Sequence, residues 1–398
     1  RLRETPGAAN SKAGVSCRNR RERQTVGGGA LQLCRYRPRH RAALSAIIEP
    51  SATAFALESP MNLQAIKERA ADLIGVGINL DKLIVAKSDR YILCFHRLLS
   101  AQYALERNIH HSMWISPATF EHTIRWLQQI GEIVSLDRIM DFSAIAKEPL
   151  FCITFDDGWL DNYTLAFPIL KKYRTPATIF IVTDAITTGN LFWADEFIEK
   201  ASTIFEQPDA RLESWLQQSF GSGAALPSGI PAKDVLNFVL ERLKTLTDIN
   251  RTAAINDFYT VFSLDAAPIT GLLMNWDQVR EMADSGIDFQ SHTHTHKILV
   301  NVDADSMLLE LRQSKQIIEE KLGKTCDHFC YPNARFDSNK AHLVGEAGYR
   351  FGFKIDNESL TVNMNRYLVP RMLVCENYAR NLNYFRLKLL EFPIYNRR

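Results

Sequence analysis

Phe151-Cys152-Ile153-Thr154-Phe155-Asp156-Asp157-Gly158 is the stretch whose reading decides the fold. Five residues of buried-strand character end, with no spacer, in two adjacent carboxylates and a glycine. The same form recurs elsewhere. Tyr91-Ile92-Leu93-Cys94-Phe95 runs into His96, and Ile287-Asp288-Phe289-Gln290-Ser291 runs into His292-Thr293-His294-Thr295-His296. Phe329-Cys330-Tyr331 runs into Pro332-Asn333. Short apolar runs at 178–182 and 350–354 complete the set. Near-continuous apolar runs of this length suit parallel strands covered on both faces. Amphipathic stretches separate them. One opens on Ser116-Pro117, an N-cap with proline at the first helical position, and carries Phe120, Ile124, Leu127 and Ile130 at helical spacing. Others span 161–173 and 303–322. The alternation predicts an α/β chain of parallel β/α units. Such folds bring the C-terminal ends of their strands to one mouth, so residues far apart in sequence converge there.

The rest of the chain bounds this reading. It has 398 residues, 46% hydrophobic, 23% charged and 10% aromatic, which excludes a disordered chain, a collagen-like repeat and a small disulfide scaffold. A net charge of +2 gives no strong field for nucleic acid, so no nucleic-acid partner is expected. The first 60 residues carry +7, leaving −5 for the remainder. They show no sustained period, and the first methionine is Met61. Residues 1–60 read as a disordered or non-native leader, with an Arg-rich targeting peptide as the second reading. Residues 61–90 read as an N-terminal helical extension and 91–398 as the β/α domain. Residues 186–270 interrupt the rhythm as a helical insertion, a candidate lid, with a Gly/Pro/Ser-rich break at 221–231. No apolar run approaches ~18 residues, so no transmembrane segment is expected. The seven cysteines are odd in number and lack a Cys-x-x-Cys pair, which favours a reducing, cytoplasmic setting. An envelope-associated substrate stays open beside it, and no feature fixes the oligomeric state.

Asp156 and Asp157 are costly neighbours after a buried strand unless a positive partner compensates them. One reading is a plain turn that ends the strand. The other divides the work: one carboxylate binds a metal, and the other stays free as a general base. His292 and His296, four residues apart, face the same way if the segment turns helical, a spacing that suits two ligands of one ion. Alone they also fit core or surface histidines. Asp157, His292 and His296 together form a carboxylate–imidazole–imidazole set with an open position, as in catalytic rather than structural zinc sites. His294 reads as an outward or supporting residue.

Thr154-Phe155-Asp156-Asp157-Gly158 and His292-Thr293-His294-Thr295-His296 resemble the first two motifs of the polysaccharide deacetylases, the NodB homology domain of carbohydrate esterase family 4. Phe192-Trp193-Ala194-Asp195 and Asn275-Trp276-Asp277-Gln278-Val279 are similar to further phrases of that family, and the resemblance spans about residues 91–375. It implies a distorted (β/α) barrel and a divalent metal, usually Zn2+. The implied activity is removal of N-acetyl groups from an N-acetylglucosamine-containing poly- or oligosaccharide, with an N-acetylated glycan as substrate. Carried over by position, Asp156 matches the general base, while Asp157, His292 and His296 match the metal ligands. The oxyanion N–H of the third motif maps near Tyr331.

Two departures stand out. The arginine usual before the proline of the third motif is missing from Asp327-His328-Phe329-Cys330-Tyr331-Pro332, and no histidine follows His342. Arg371 is the candidate replacement that orients Asp156, and His96 the candidate general acid, with a capped loop histidine as its alternative. Trp159, Tyr163, Trp193, Trp276 and Tyr331 are candidate sugar-stacking faces. Trp159 is the one expected at the site rim, the others reading first as core. Two other functions stay open: a deformylase or other amide hydrolase on the same scaffold, and a catalytically silent carbohydrate-binding protein.

Overall fold

A computed structural model describes residues 63–391 except 88, 144 and 222; the expected leader at 1–60 lies outside the described residues. Seven parallel strands close on themselves. They are β1 (Arg90–Phe95), β2 (Leu150–Asp157), β3 (Ala177–Ile181), β4 (Asp288–Ser291), β5 (His328–Cys330), β6 (Phe351–Ile355) and β7 (Val369–Leu373). Their order runs β1-β7-β6-β5-β4-β3-β2, and β2 pairs back to β1 through Arg90↔Leu150 to Phe95↔Phe155. The short strand Glu132–Ile133 adds to the free side of the β2 start. Because every barrel pairing is parallel, all seven C-terminal ends share one rim, the condition for the reactive residues to meet.

Alternation along the strands sorts the side chains. Phe95, Phe151, Ile153, Phe155 and Ile179 pack outward against the helices, in one cluster with Phe120, Ile124 and Leu127. Ile92, Cys152, Phe180, Cys330, Phe353 and Val369 fill the interior, joined by Leu136, Ile139 and Met140 of the segment that follows Glu132–Ile133. Above this apolar layer the inward positions turn polar: Thr154, Asp156, Gln290, His292 and Arg371 are all buried.

The helix expected after Ser116 is Pro117–Ile130, with the Ser116 hydroxyl accepting from Thr119 N at 3.2 Å and the predicted apolar positions buried. β7 is a strand the sequence pattern missed. Its Pro370 argues against a sheet interior, but the ladder to β1 starts only at Leu93↔Met372, beyond the missing N–H.

Helices α1 (Leu63–Gly77) and α2 (Leu80–Lys87) precede the barrel and rest on the C-terminal helix Leu382–Leu389, where Ala71, Leu80, Tyr384 and Leu387 share a core. Between β3 and β4 stand α3 (Trp193–Glu206), α4 (Ala210–Phe220), α5 (Ala232–Leu243) and α6 (Asp248–Val261). They enclose a core of their own that includes Phe197, Phe205, Trp215, Val239 and Phe258. The insertion leaves and returns through a narrow antiparallel neck, with a bridge at Asn190↔Thr270 and Leu191 N donating to Ile269 O at 2.9 Å. Asn301 Nδ2 donates to Lys244 O at 2.7 Å and Arg335 pairs with Glu241 at 2.5 Å, tying the bundle to the rim. No helix among the described residues is long and apolar enough to cross a membrane.

Candidate metal and catalytic site

The turn after β2 builds the first corner. Asp157 adopts φ +77° and Gly158 φ +86°. This left-handed pair swings the Asp157 carboxylate over the mouth, at a backbone cost of about 1–3 kcal/mol for the non-glycine residue. Glycine is required next, because a Cβ there would lie 2.9 Å from Ile186 Cδ1. Asp157 Oδ1 ends 3.4 Å from Nε2 of His292 and 3.4 Å from Nε2 of His296. One donor atom from each residue lies within 4.8 Å of the others. His292 Nδ1 is 2.9 Å from Cys330 O, so an N–H there donates to the carbonyl and leaves the Nε2 lone pair facing Asp157.

The electrostatics agree. Burial drives His296 down to about 4, keeping it neutral at ordinary pH. Burial opposes a cationic His292, yet the hydrogen bond and charge of Asp157 raise its pKa. The carboxylate thus draws positive charge toward the two Nε2 atoms. Two imidazole nitrogens and one carboxylate oxygen, converging with His296 half-buried and the other two buried, fit a divalent cation of the zinc type.

Residues 292–296 do not form a helix. Thr293 and His296 take φ +71° and +59°, and the resulting loop, rather than helical spacing, brings the two rings 5.1 Å apart. Glu310, buried on helix Ala304–Leu322, clamps this loop. It accepts from His294 N at 3.1 Å, Thr295 N at 2.8 Å and Thr295 Oγ1 at 2.7 Å, and it pairs with Lys297 at 3.2 Å. Glu310→Ala strips partners from two backbone N–H groups. The expected results are a stability loss of about 1–3 kcal/mol, read by denaturant unfolding, and weaker divalent-ion retention on dialysis.

Asp156 points into the barrel and meets Arg371. The guanidinium donates to both oxygens, Nη1 to Oδ1 at 2.8 Å and Nη2 to Oδ2 at 2.7 Å, and Nη1 also reaches Thr154 Oγ1 at 3.1 Å. The Arg371 guanidinium lies 5.0 Å from the centre of the Phe180 ring. Cys94 and Cys330 flank Asp156 Oδ2 at 3.4 and 3.5 Å. Burial alone would push the Asp156 carboxyl up, but the charge and hydrogen bonds of Arg371 hold it at about 2. His96 Nε2 lies 3.9 Å from Asp156 Oδ2, and its buried Nδ1 has no partner among the described residues. Asp156, Arg371 and His96 therefore come together beside the Asp157–His292–His296 set.

Tyr331 is placed differently from the expectation. Its backbone N–H is spent on Phe353 O at 3.0 Å in the β5–β6 ladder, and its hydroxyl donates to Tyr367 O at 3.0 Å. It has no free N–H to offer an oxyanion. Two residues on, Asn333 is half-buried, and its buried Nδ2 has no partner among the described residues. Trp159 is also corrected: it is fully buried and presents no face to a sugar.

Three residues near the site went unassigned. Glu310 carries a weak signal, a carboxylate on the apolar face of an amphipathic helix. Asn333 directly follows the strand-end Tyr331-Pro332. Asp195, half-buried in the first turn of α3, is pushed up to about 7 by burial and by the charge of Asp157. The start of α3 abuts the site, with the Phe192 ring 4.6 Å from that of His296.

The polysaccharide deacetylase family model matches residues 144–216 and 247–352. YxkH of Bacillus subtilis, provisionally named a polysaccharide deacetylase, is 34% identical over 289 residues, covering 71% of this chain and 70% of that protein. The poly-beta-1,6-N-acetyl-D-glucosamine N-deacetylase of Staphylococcus aureus is 20% identical over 280 residues, 67% of this chain and 70% of its own length. Among solved structures, the Streptococcus pyogenes deacetylase PplD in complex with acetate aligns with a TM-score of 0.48 at 18% identity, covering 74% of this chain and 96% of that one.

Proposed function

Because this chain belongs to the polysaccharide deacetylase family, we propose that it is a metal-dependent hydrolase removing N-acetyl groups from an N-acetylglucosamine-containing poly- or oligosaccharide. The observation that carries the reading is the division of the two adjacent carboxylates. Asp157 lies 3.4 Å from two imidazole Nε2 atoms, while Asp156, though within 4.8 Å of a His292 ring nitrogen, has both oxygens engaged by Arg371. Sugar binding alone has no use for such a pair.

Asp157, His292 and His296 would hold the cation, with Zn2+ favoured by the donor set. When bound, such an ion supplies Lewis acidity, easing deprotonation of water and polarising an amide carbonyl. The net reaction adds water across the amide, giving acetate and a free sugar amine. Asp156, kept ionised by Arg371, accepts the proton of the attacking water at its carboxylate. Arg371 fixes the direction of both oxygens while that happens. His96, on the Oδ2 side of Asp156, returns a proton to the departing amine nitrogen. The Asn333 amide, whose buried Nδ2 is unpaired among the described residues just past β5, is the candidate donor to the oxyanion in place of Tyr331.

The test is acid release from β-1,6- and β-1,4-linked N-acetylglucosamine oligosaccharides. Acetate release that chelation abolishes and zinc restores is the expected result. Formate release, from formylated substrates only, would move the activity to another amide, and tight oligosaccharide binding by zinc-loaded protein without any acid would make it a binding protein.

A further inference from the structure

We infer that Trp159 is a positioning residue that holds Asp157 as a one-oxygen ligand, and that Arg97 strengthens its grip; the inference rests on the metal-site reading above. The two oxygens of Asp157 face different partners. Oδ1 lies 3.4 Å from each of the His292 and His296 Nε2 atoms, whereas Oδ2 accepts from the indole Nε1–H of Trp159 at 2.9 Å. A carboxylate with one oxygen bound to a neutral, buried donor loses that bond if it turns to offer both oxygens to an ion. It presents Oδ1 alone, in a fixed direction, beside the two imidazoles.

The indole is itself held. Residues 158–160 run alongside 272–274, with Leu160 N donating to Leu272 O at 2.9 Å and Met274 N to Gly158 O at 3.0 Å. Phe192 meets the ring edge to face at 5.6 Å. The Arg97 guanidinium lies 4.1 Å from the centre of the indole ring. A cation over the ring withdraws electron density from it and makes the N–H a stronger donor. Arg97 is buried and kept there by Asp161, whose Oδ2 accepts from Arg97 Nε at 2.9 Å and whose Oδ1 accepts from Leu98 N at 2.8 Å. A chain of contacts thus runs from Asp161 through Arg97 and Trp159 to the ligand carboxylate. Asn162 Nδ2 donates to His96 O at 2.8 Å, so the same segment also steadies the strand end that carries His96.

The experiment compares the full chain with Trp159→Phe, which keeps an aromatic ring and deletes the donor. Zinc affinity is measured by competition with a chromophoric chelator, and folding is checked by far-ultraviolet circular dichroism. Affinity is expected to fall about 10–100-fold. In cobalt-substituted protein the visible absorption bands are expected to shift, as the carboxylate gains freedom to bind through both oxygens. The paired change Arg97→Met with Asp161→Asn removes both charges and spares the indole; it is expected to weaken zinc about 2–5-fold and to shift the cobalt bands the same way. It also keeps the inference testable if Trp159→Phe does not fold. Zinc affinity within twofold of the parent together with an unchanged cobalt spectrum, in whichever variants fold, would overturn it. Parent protein that binds neither ion would instead sink the metal-site reading.

Discussion

Arg371→Met is expected to lower the unfolding free energy by about 3–5 kcal/mol, because it leaves a buried carboxylate without its counter-charge. Asp156 is 1% exposed and Arg371 is fully buried, so water cannot replace the lost partner. The guanidinium also gives up Thr154 Oγ1, and Phe180 loses the cation beside its face. Denaturant unfolding of the metal-free protein measures the loss. The double variant Arg371→Met with Asp156→Asn should recover most of it, since replacing both partners of a buried pair with groups of similar volume is often close to neutral. If the single variant is as stable as the parent, the pair is not what holds the polar layer of the barrel together.

Asp156→Asn is expected to reduce kcat by about 10²–10⁴-fold, the usual range for removing a positioned base. Zinc affinity should stay within a few-fold of the parent, because Asp157, His292 and His296 are untouched. This variant also strands Arg371, so some stability loss accompanies it. The double variant separates the two effects: stability returns, turnover does not. Steady-state acetate release by zinc-loaded protein decides the matter, and turnover near that of the parent would remove Asp156 from the proton transfer.

What the sequence discloses is what lies on short, strongly patterned stretches. β2 and β4 are legible because buried parallel strands read as apolar runs, and the residues that end them share one rim for topological reasons. The convergence of Asp156, Asp157, His292 and His296 follows from that, while their separate roles rest on the family resemblance. Arg371 is harder. It sits in a strand disguised by Pro370, and its bidentate contact spans more than two hundred residues of chain. Trp159 is not placed by its sequence, because an aromatic next to a turn looks the same whether its ring faces water or a carboxylate. The i, i+4 spacing of His292 and His296 gives the correct pairing for the wrong local reason: a loop with two left-handed residues, not a helix, sets their rings. Tyr331 illustrates another limit. A backbone N–H at a strand end is free or spent according to the neighbouring strand, and only the β5–β6 register decides it.

The helical bundle hangs from the barrel at a neck where Asn190 and Thr270 already touch. Its two ends are therefore spliced whatever lies between them, and a chain shortened at that point would close as a simple hairpin. Length added or removed between those ends costs little closure entropy, though the ties of Asn301 to Lys244 and Arg335 to Glu241 would go with the bundle. Only what lies beyond Phe192 is separable in this way, because that ring sits inside the splice and props both His296 and the indole beside Asp157.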